Sequence, residues 1–368
     1  MASTLDLRRY CQRVFRPLPR VDQRRWAHTY VKALLATPGK KSIQRLARSV
    51  SSSPTAAQSL RQFVNASPWS WEPIQRELTT WVREAGPVNA WTFGPAFLPK
   101  RGERSVGVHR RYDPFANRTA NCQVGYGAFL AVGSAHVPVA WELSLPGPWD
   151  DCPNLRQRAR VPATERHRPP WVHVLNLVET LAARTDPAPV VTDLSDSHDS
   201  QDAGLLAHGL AKRGHTFVIA IPRQLPVTVE DQDGSCQLLP QVAPVGTGDL
   251  PTEPSAPAAS IPRPCATRVR SAPARVPMPR ADTSQGSPYQ LFTTMRPDNR
   301  VGQVWLTNLP QESLPEAARL AQQAGGPATA IAAMARWFGL LDFEGRSFPG
   351  WHHHMSLISA AYAYGRLG

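Results

Sequence analysis

Asp193 is the carboxylate best placed for chemistry. It closes the apolar run Val190-Val191-Thr192 and opens the polar loop Ser195-Asp196-Ser197-His198-Asp199. A side chain at the tip of a buried strand is the usual place for a functional group on an open α/β sheet; turn formation or helix capping is the structural alternative. The adjacent histidines His352-His353-His354 suggest a metal at first sight. Neighbours on a helix point about 100° apart, whereas metal-binding helices space their histidines at i and i+4, so packing or a polynucleotide-backbone contact is expected instead. Ser195, His198 and Asp199 share one loop without the glycine pattern of a nucleophile elbow. Gly325-Gly326 has neither the preceding strand nor the following lysine of a phosphate loop.

Charge points to a partner. The 368 residues carry a formal net charge of +13, and lysine is confined to Lys32, Lys40, Lys41, Lys100 and Lys212, so arginine supplies most of it. Arginine's planar fork suits phosphates and base edges, which makes nucleic acid the leading partner class; a GC-rich genome is the alternative source of the bias. Two clusters stand out. Lys40, Lys41, Arg45, Arg48 and Arg61 fall on the outward side of two short helical stretches, and Lys100, Arg101, Arg104, His109, Arg110 and Arg111 follow one another in a strand-rich region. A solvated hairpin face is the bland reading of the second cluster. The five cysteines are scattered without metal-type spacing and read as reduced thiols of a cytoplasmic protein. The N-terminus lacks a signal peptide's apolar run, and no stretch of about 18 apolar residues occurs, so neither secretion nor a membrane span is expected.

The elements that must hold these residues follow from periodicity. Residues 1–86 read as helices, with 41–50 and 57–65 resembling a helix-turn-helix in outline. Short β-type runs at 90–93, 105–112, 121–132 and 136–145 predict an antiparallel meander. An Arg- and Pro-rich loop at 150–169 precedes a helix over 171–183. Strand 190–193, helix 204–213 and strand 216–221 imply a parallel pair with a crossover. Residues 222–288, rich in Pro, Ala, Ser and Arg, predict a long and partly irregular insertion. A hairpin at 289–295 and 302–309, a helical tail at 315–340 broken at Gly325-Gly326-Pro327, and a helix over 351–364 complete the chain. The expected domains are therefore 1–86, 87–221, 222–288 and 289–368.

Several segments in this order resemble one family. They are Pro99-Lys100-Arg101-Gly102 with Ser105-Val106-Gly107-Val108, Asn121-Cys122-Gln123-Val124-Gly125, Leu145-Pro146 before Trp149-Asp150, Val191-Thr192-Asp193, Val304-Trp305-Leu306-Thr307-Asn308-Leu309-Pro310, and Phe343-Glu344-Gly345-Arg346-Ser347 with Gly350-Trp351-His352-His353-His354. Together they are similar to bacterial insertion-sequence DDE transposases of the seven-oh-one type. The resemblance implies an α/β fold, a ribonuclease H-like mixed sheet flanked by helices, plus an all-helical N-terminal domain. It further implies DNA as partner, a homodimer, and three carboxylates holding two divalent metals, one to activate the nucleophile and one to stabilise the leaving oxygen.

Against that pattern the first acid is missing. Its position falls on Gly94, and no Asp or Glu lies between Glu84 and Glu103. Asp193 matches the second acid. The third should lie on a helix after the insertion, but residues 317–341 contain no acid and the candidate is Glu344, within the shared motif Phe343–Ser347; an ion pair with Arg346 is its alternative role. Asp193 and Glu344 are thus the expected catalytic and metal-ligating residues, with Mg2+ the cofactor if nuclease activity remains and none otherwise. Two functions follow as expectations. One is a transposase-like DNA-binding protein, nucleoid-associated, with a degenerate site. The other is a metal-independent enzyme acting on a small molecule through Asp193, Asp196, His198, Glu344, Arg346, His352, His353 and His354.

Overall fold

The computed structural model describes residues 6–113, 117–197, 199–230, 236–239, 269–276, 289–295 and 301–368. Helices α1 (Leu7–Val14), α2 (Val21–Ala36), α3 (Ile43–Val50), α4 (Ala56–Asn65) and α5 (Glu72–Glu84) precede strands β1 (Val88–Pro99), β2 (His109–Asp113), β3 (Arg118–Val132) and β4 (Ala135–Leu143). Short helices α6 (Pro148–Asp151) and α7 (Pro153–Ala159) lead to α8 (Pro170–Ala182), β5 (Val190–Asp193), α9 (Asp202–Lys212) and β6 (Phe217–Ala220). Then come β7 (Val227–Glu230), β8 (Cys236–Leu239), β9 (Val269–Arg275), β10 (Tyr289–Met295), β11 (Val301–Thr307), α10 (Leu314–Ala321), α11 (Gly326–Ala333), a π-helical turn at Met334–Phe338 and α12 (Phe348–Leu367). The chain has a mixed α/β fold with sheet flanked by helices, compatible with a ribonuclease H-like core. Among the described residues no helix is long and apolar enough to cross a membrane.

These elements form two compact units, residues 1–188 with 323–368, and residues 189–322. In the first, β3 is the spine. It runs antiparallel to β1, and its other edge is shared by β2 near Arg118–Cys122 and β4 along Gly125–Val132. Helix α11 packs on β1 and β4, and α12 packs on β4 and on α2, α4 and α5. Residues 348 and 350–363 of α12 are buried, the pattern of a helix apolar on every side and enclosed by its neighbours. Its length is anchored by Tyr10 of α1, whose hydroxyl donates to the Ala360 carbonyl at 2.7 Å.

In the second unit β5 and β6 are parallel, joined by α9, as the strand-helix-strand spacing predicts. β6 then pairs antiparallel with β11, and the sheet continues through β10, β9, β7 and β8. Asn308 ties this sheet together. Its Oδ1 accepts from the Phe217 amide at 3.0 Å and its Nδ2 donates to the His215 carbonyl at 2.9 Å, while the neighbouring Thr307 hydroxyl donates to the Phe217 carbonyl at 2.6 Å.

Two stretches hold more regular structure than expected. The stretch 222–288, expected to be partly irregular, contributes β7, β8 and β9 to the sheet; strand pairing satisfies backbone groups even where side chains offer little to bury. Much of that stretch lies outside the described residues. The segment 150–169 also contains helices α6 and α7. Buried Arg156 organises it, donating to the carbonyls of Trp149, Pro162 and Glu165 at 2.9, 2.8 and 2.6 Å.

Candidate functional site

Gly94 lies midway along β1, paired with Gly127 of β3. A β-carbon there would stand 2.8 Å from Cβ of Pro327, at the start of α11. The preceding Gly326 is equally confined, since a β-carbon would come within 2.2 Å of the His136 ring. His136 is held in turn, with Nδ1 3.0 Å from the Thr92 hydroxyl and a side-chain hydrogen bond to Gln323. Burial lowers the pKa of His136. The opening of α11 is thus pressed onto β1 and β4 where the first carboxylate was expected, and Gly94, Gly326 and Pro327 bring no side-chain oxygen. In the sequence Gly325-Gly326-Pro327 reads as a helix break that lacks the partners of a phosphate loop. Its signal was there, because the smallest residue followed by proline suits a helix start in close contact with a sheet.

Asp193 ends β5 opposite Ala220 and is exposed. Its Oδ1 accepts from the Ser195 amide at 2.9 Å, the bond that closes an Asx turn. Asp196 is exposed, and His198 lies outside the described residues. Asp202, an acid that sequence reading passed over, is buried at the start of α9 and accepts from the Ser197 hydroxyl at 2.5 Å. Burial raises its pKa.

Glu344 sits in the loop before α12, in the unit that holds Gly94 and not in the unit that holds Asp193. Glu344 and Arg346 are both exposed and form no ion pair with each other. The loop itself is firmly tied. The Lys41 amide donates to Asp342 Oδ2 at 2.7 Å, Lys100 Nζ to the Phe343 carbonyl at 2.8 Å, and the Val106 amide to the Arg346 carbonyl at 3.1 Å. Ser347, the N-cap of α12, accepts from Arg160 at 2.9 Å. Burial pulls the Lys100 ammonium down to about 8, partly countered by Asp342.

Of the basic residues expected to face DNA, Lys40, Arg45, Arg48 and Arg61 are exposed around α3 and α4, as are Arg101, Arg104 and Arg110 around the β1–β2 connection. Lys41 is different. It is buried, and Nζ donates to the carbonyls of Leu34 and Thr37, filling acceptors that the end of α2 leaves open. Lys100 is committed to the Phe343 loop. Arg111 lies over the Phe97 ring at 5.3 Å, and half-buried His109 has Nδ1 3.1 Å from the Gly107 carbonyl.

His352, His353 and His354 are all buried, so they contribute to the core and not to a surface. His353 has Nδ1 2.8 Å from the Val64 carbonyl and Nε2 2.7 Å from the Trp69 carbonyl, with its ring stacked on Trp69. Burial nevertheless wins over these two acceptors and pushes its pKa down to about 4. Burial also takes His352 and His354 to about 3. His352 stacks on Trp71 and lines a cavity of about 160 Å³ with Gln75, Glu142 and Arg184. Among the described residues no group of three or more His, Cys, Asp or Glu side chains could hold a metal ion.

No curated protein matches the chain. A family model described as DDE superfamily endonuclease matches residues 13–287. The segment includes Gly94 and Asp193, and the expected order of meander, helix and Asp-tipped strand is the order observed. This chain therefore belongs to the DDE superfamily of endonucleases.

Proposed function

We propose that the chain is a transposase-like DNA-binding protein whose metal site has been replaced by apolar packing, leaving it deficient in DNA cleavage and strand transfer. The contact of Pro327 with Gly94 carries this reading. The family ordinarily uses a divalent metal, and two-metal phosphoryl chemistry needs a carboxylate bridging both ions. Magnesium-type ions require hard oxygen ligands, and Gly94, Gly326 and Pro327 offer none. The residues present do not fit a pair of divalent metal ions. Asp193 and Glu344 remain the candidate vestiges of the site.

DNA binding draws support from the exposed Lys40, Arg45, Arg48 and Arg61 around two helices joined by a turn, and from Arg101, Arg104 and Arg110. Such side chains neutralise phosphates and give affinity that falls with salt. The small-molecule alternative gains nothing comparable. His352, His353 and His354 belong to the core, and Glu344, Arg346, Asp193 and Asp196 are exposed.

The test has two parts. Supercoiled plasmid incubated with Mg2+ or Mn2+ should show no nicking beyond that of Asp193→Ala, and a gel-shift series should show DNA binding that weakens steadily as salt rises. Strong nicking abolished by Asp193→Ala overturns the degenerate site. Absence of salt-dependent binding overturns the DNA reading.

A further inference from the structure

We infer that Trp337, backed by Arg336, is a stacking platform for an unpaired base at a DNA end or nick; this rests on the DNA reading above. Trp337 is 59% exposed, unusual for a side chain that is highly buried on average. Among the described residues the large exposed apolar side chains are Val21, Tyr112, Trp337 and Leu341, so two of them fall within one short stretch.

The local backbone explains the exposure. The π-helical turn Met334–Phe338 directs Met334 into the core and lays Phe338 edge-on against Tyr362 at 5.4 Å, while Arg336 and Trp337 stay outside. Turns of this kind concentrate at functional sites. The Arg336 guanidinium lies over the Trp337 ring, 4.6 Å from its centre, which adds positive charge to an aromatic face.

The same segment is pressed against the start of α3. Gly339 has φ +77°, and a β-carbon there would fall 2.4 Å from Cγ of Lys41, so only glycine fits both the left-handed backbone and the approach. Exposed Lys40 precedes Lys41, and exposed Arg45 and Arg48 follow on α3. Trp337 thus belongs to a segment that touches Lys41, whose neighbours along the chain carry exposed cations, and single-stranded nucleic acid recognises aromatic faces together with cations, bases stacking while phosphates meet the charges. Bases inside a duplex hide their faces, so the occupant is an unpaired one. The net charge of +13 opposes a second copy of the chain on so basic a surface.

The experiment compares a blunt duplex with the same duplex bearing a short single-stranded overhang, using the full chain. The overhang should bind roughly tenfold tighter. Trp337→Ala should erase that advantage while leaving blunt-duplex affinity, its salt slope and the unfolding midpoint unchanged, and Trp337→Phe should keep most of it. Should Trp337→Ala prove unstable, Trp337→Gln serves the same comparison. Blunt-duplex binding with no overhang preference, or with a preference that Trp337→Ala leaves intact, overturns this inference alone. A shift from dimer to monomer in Trp337→Ala with the preference retained also overturns it, making the face a protein interface. Loss of binding to every DNA removes the DNA reading and this inference together.

Discussion

Cβ of Pro327 occupies the space next to Gly94 that a side chain at position 94 would need, at 2.8 Å from the β-carbon such a residue would carry. The two residues are a matched pair, and each limits what the other can be. Gly94→Asp should therefore lower the unfolding free energy by about 1–3 kcal/mol, the usual cost of forcing atoms into a packed site. Adding Pro327→Gly removes the opposing Cβ. Urea denaturation of the two single variants and the double should reveal coupling of at least about 1 kcal/mol; strictly additive losses would show that the contact is not what excludes an acid.

Acid should unfold this protein early. His352, His353 and His354 titrate near 3, 4 and 3 in the folded chain, against about 6.5 when unfolded. Because the folded values are depressed, the unfolded state takes up protons that the folded state refuses. Stability is then complete above about pH 6.5 and falls as pH drops toward the folded values, each histidine adding a slope of about 1.4 kcal/mol per pH unit. Both ring nitrogens of His352 lack hydrogen-bond partners, so His352→Phe should be well tolerated at neutral pH and should flatten the slope by one histidine's share. Denaturation curves between about pH 7.5 and about pH 4.5 measure this, and an unchanged slope in the variant would sink the argument.

Lysine and arginine on neighbouring positions should behave oppositely. Lys41→Ala removes the donor that serves the Leu34 and Thr37 carbonyls, so it should cost stability, about 1–3 kcal/mol. Its effect on DNA affinity should be no more than that instability explains. Arg45→Ala or Arg48→Ala should leave the unfolding midpoint alone and reduce the salt slope of DNA binding by about 1 each. The reverse pattern would move the DNA contact inward to Lys41 and contradict its burial.

Asn308 is expected to matter more than its polarity suggests. Asn308→Ala leaves the Phe217 amide and His215 carbonyl without their partners, a loss of about 1–3 kcal/mol when such groups stay shielded from water. Hydrogen exchange provides the readout. The β6 amides should lose protection well before those of β3, which belongs to the other unit; uniform loss throughout the chain would refute a local clamp.

Much of the architecture was legible in the chain itself because it depends on neighbours in sequence. The run Val190-Val191-Thr192-Asp193 predicts a buried strand with an acid at its tip, and β5 has those bounds. Alternation and turn residues locate the strands of the first sheet and the β10–β11 hairpin, and the 3.6-residue period locates α8, α9 and α12. The absence of any acid between Glu84 and Glu103 is likewise plain from residue types alone. Composition did not reveal the strands within 222–288, where pairing with distant partners supplies what local propensity lacks.

The site needed three dimensions. Residues 94 and 327 meet although 232 positions lie between them, and no local pattern reports which residue of a helix will face which residue of a strand. Lys41 reads as one more surface cation until the carbonyls of α2 are seen around its ammonium, and the three histidines leave packing and a backbone contact both open until aromatic rings enclose them. Residue type and spacing determine which segments become helix or strand, because those preferences arise within a few bonds. Which side chains lose water, and therefore which charges and acids remain usable, is decided only when remote segments pack, since desolvation belongs to the assembled interior and not to any residue alone.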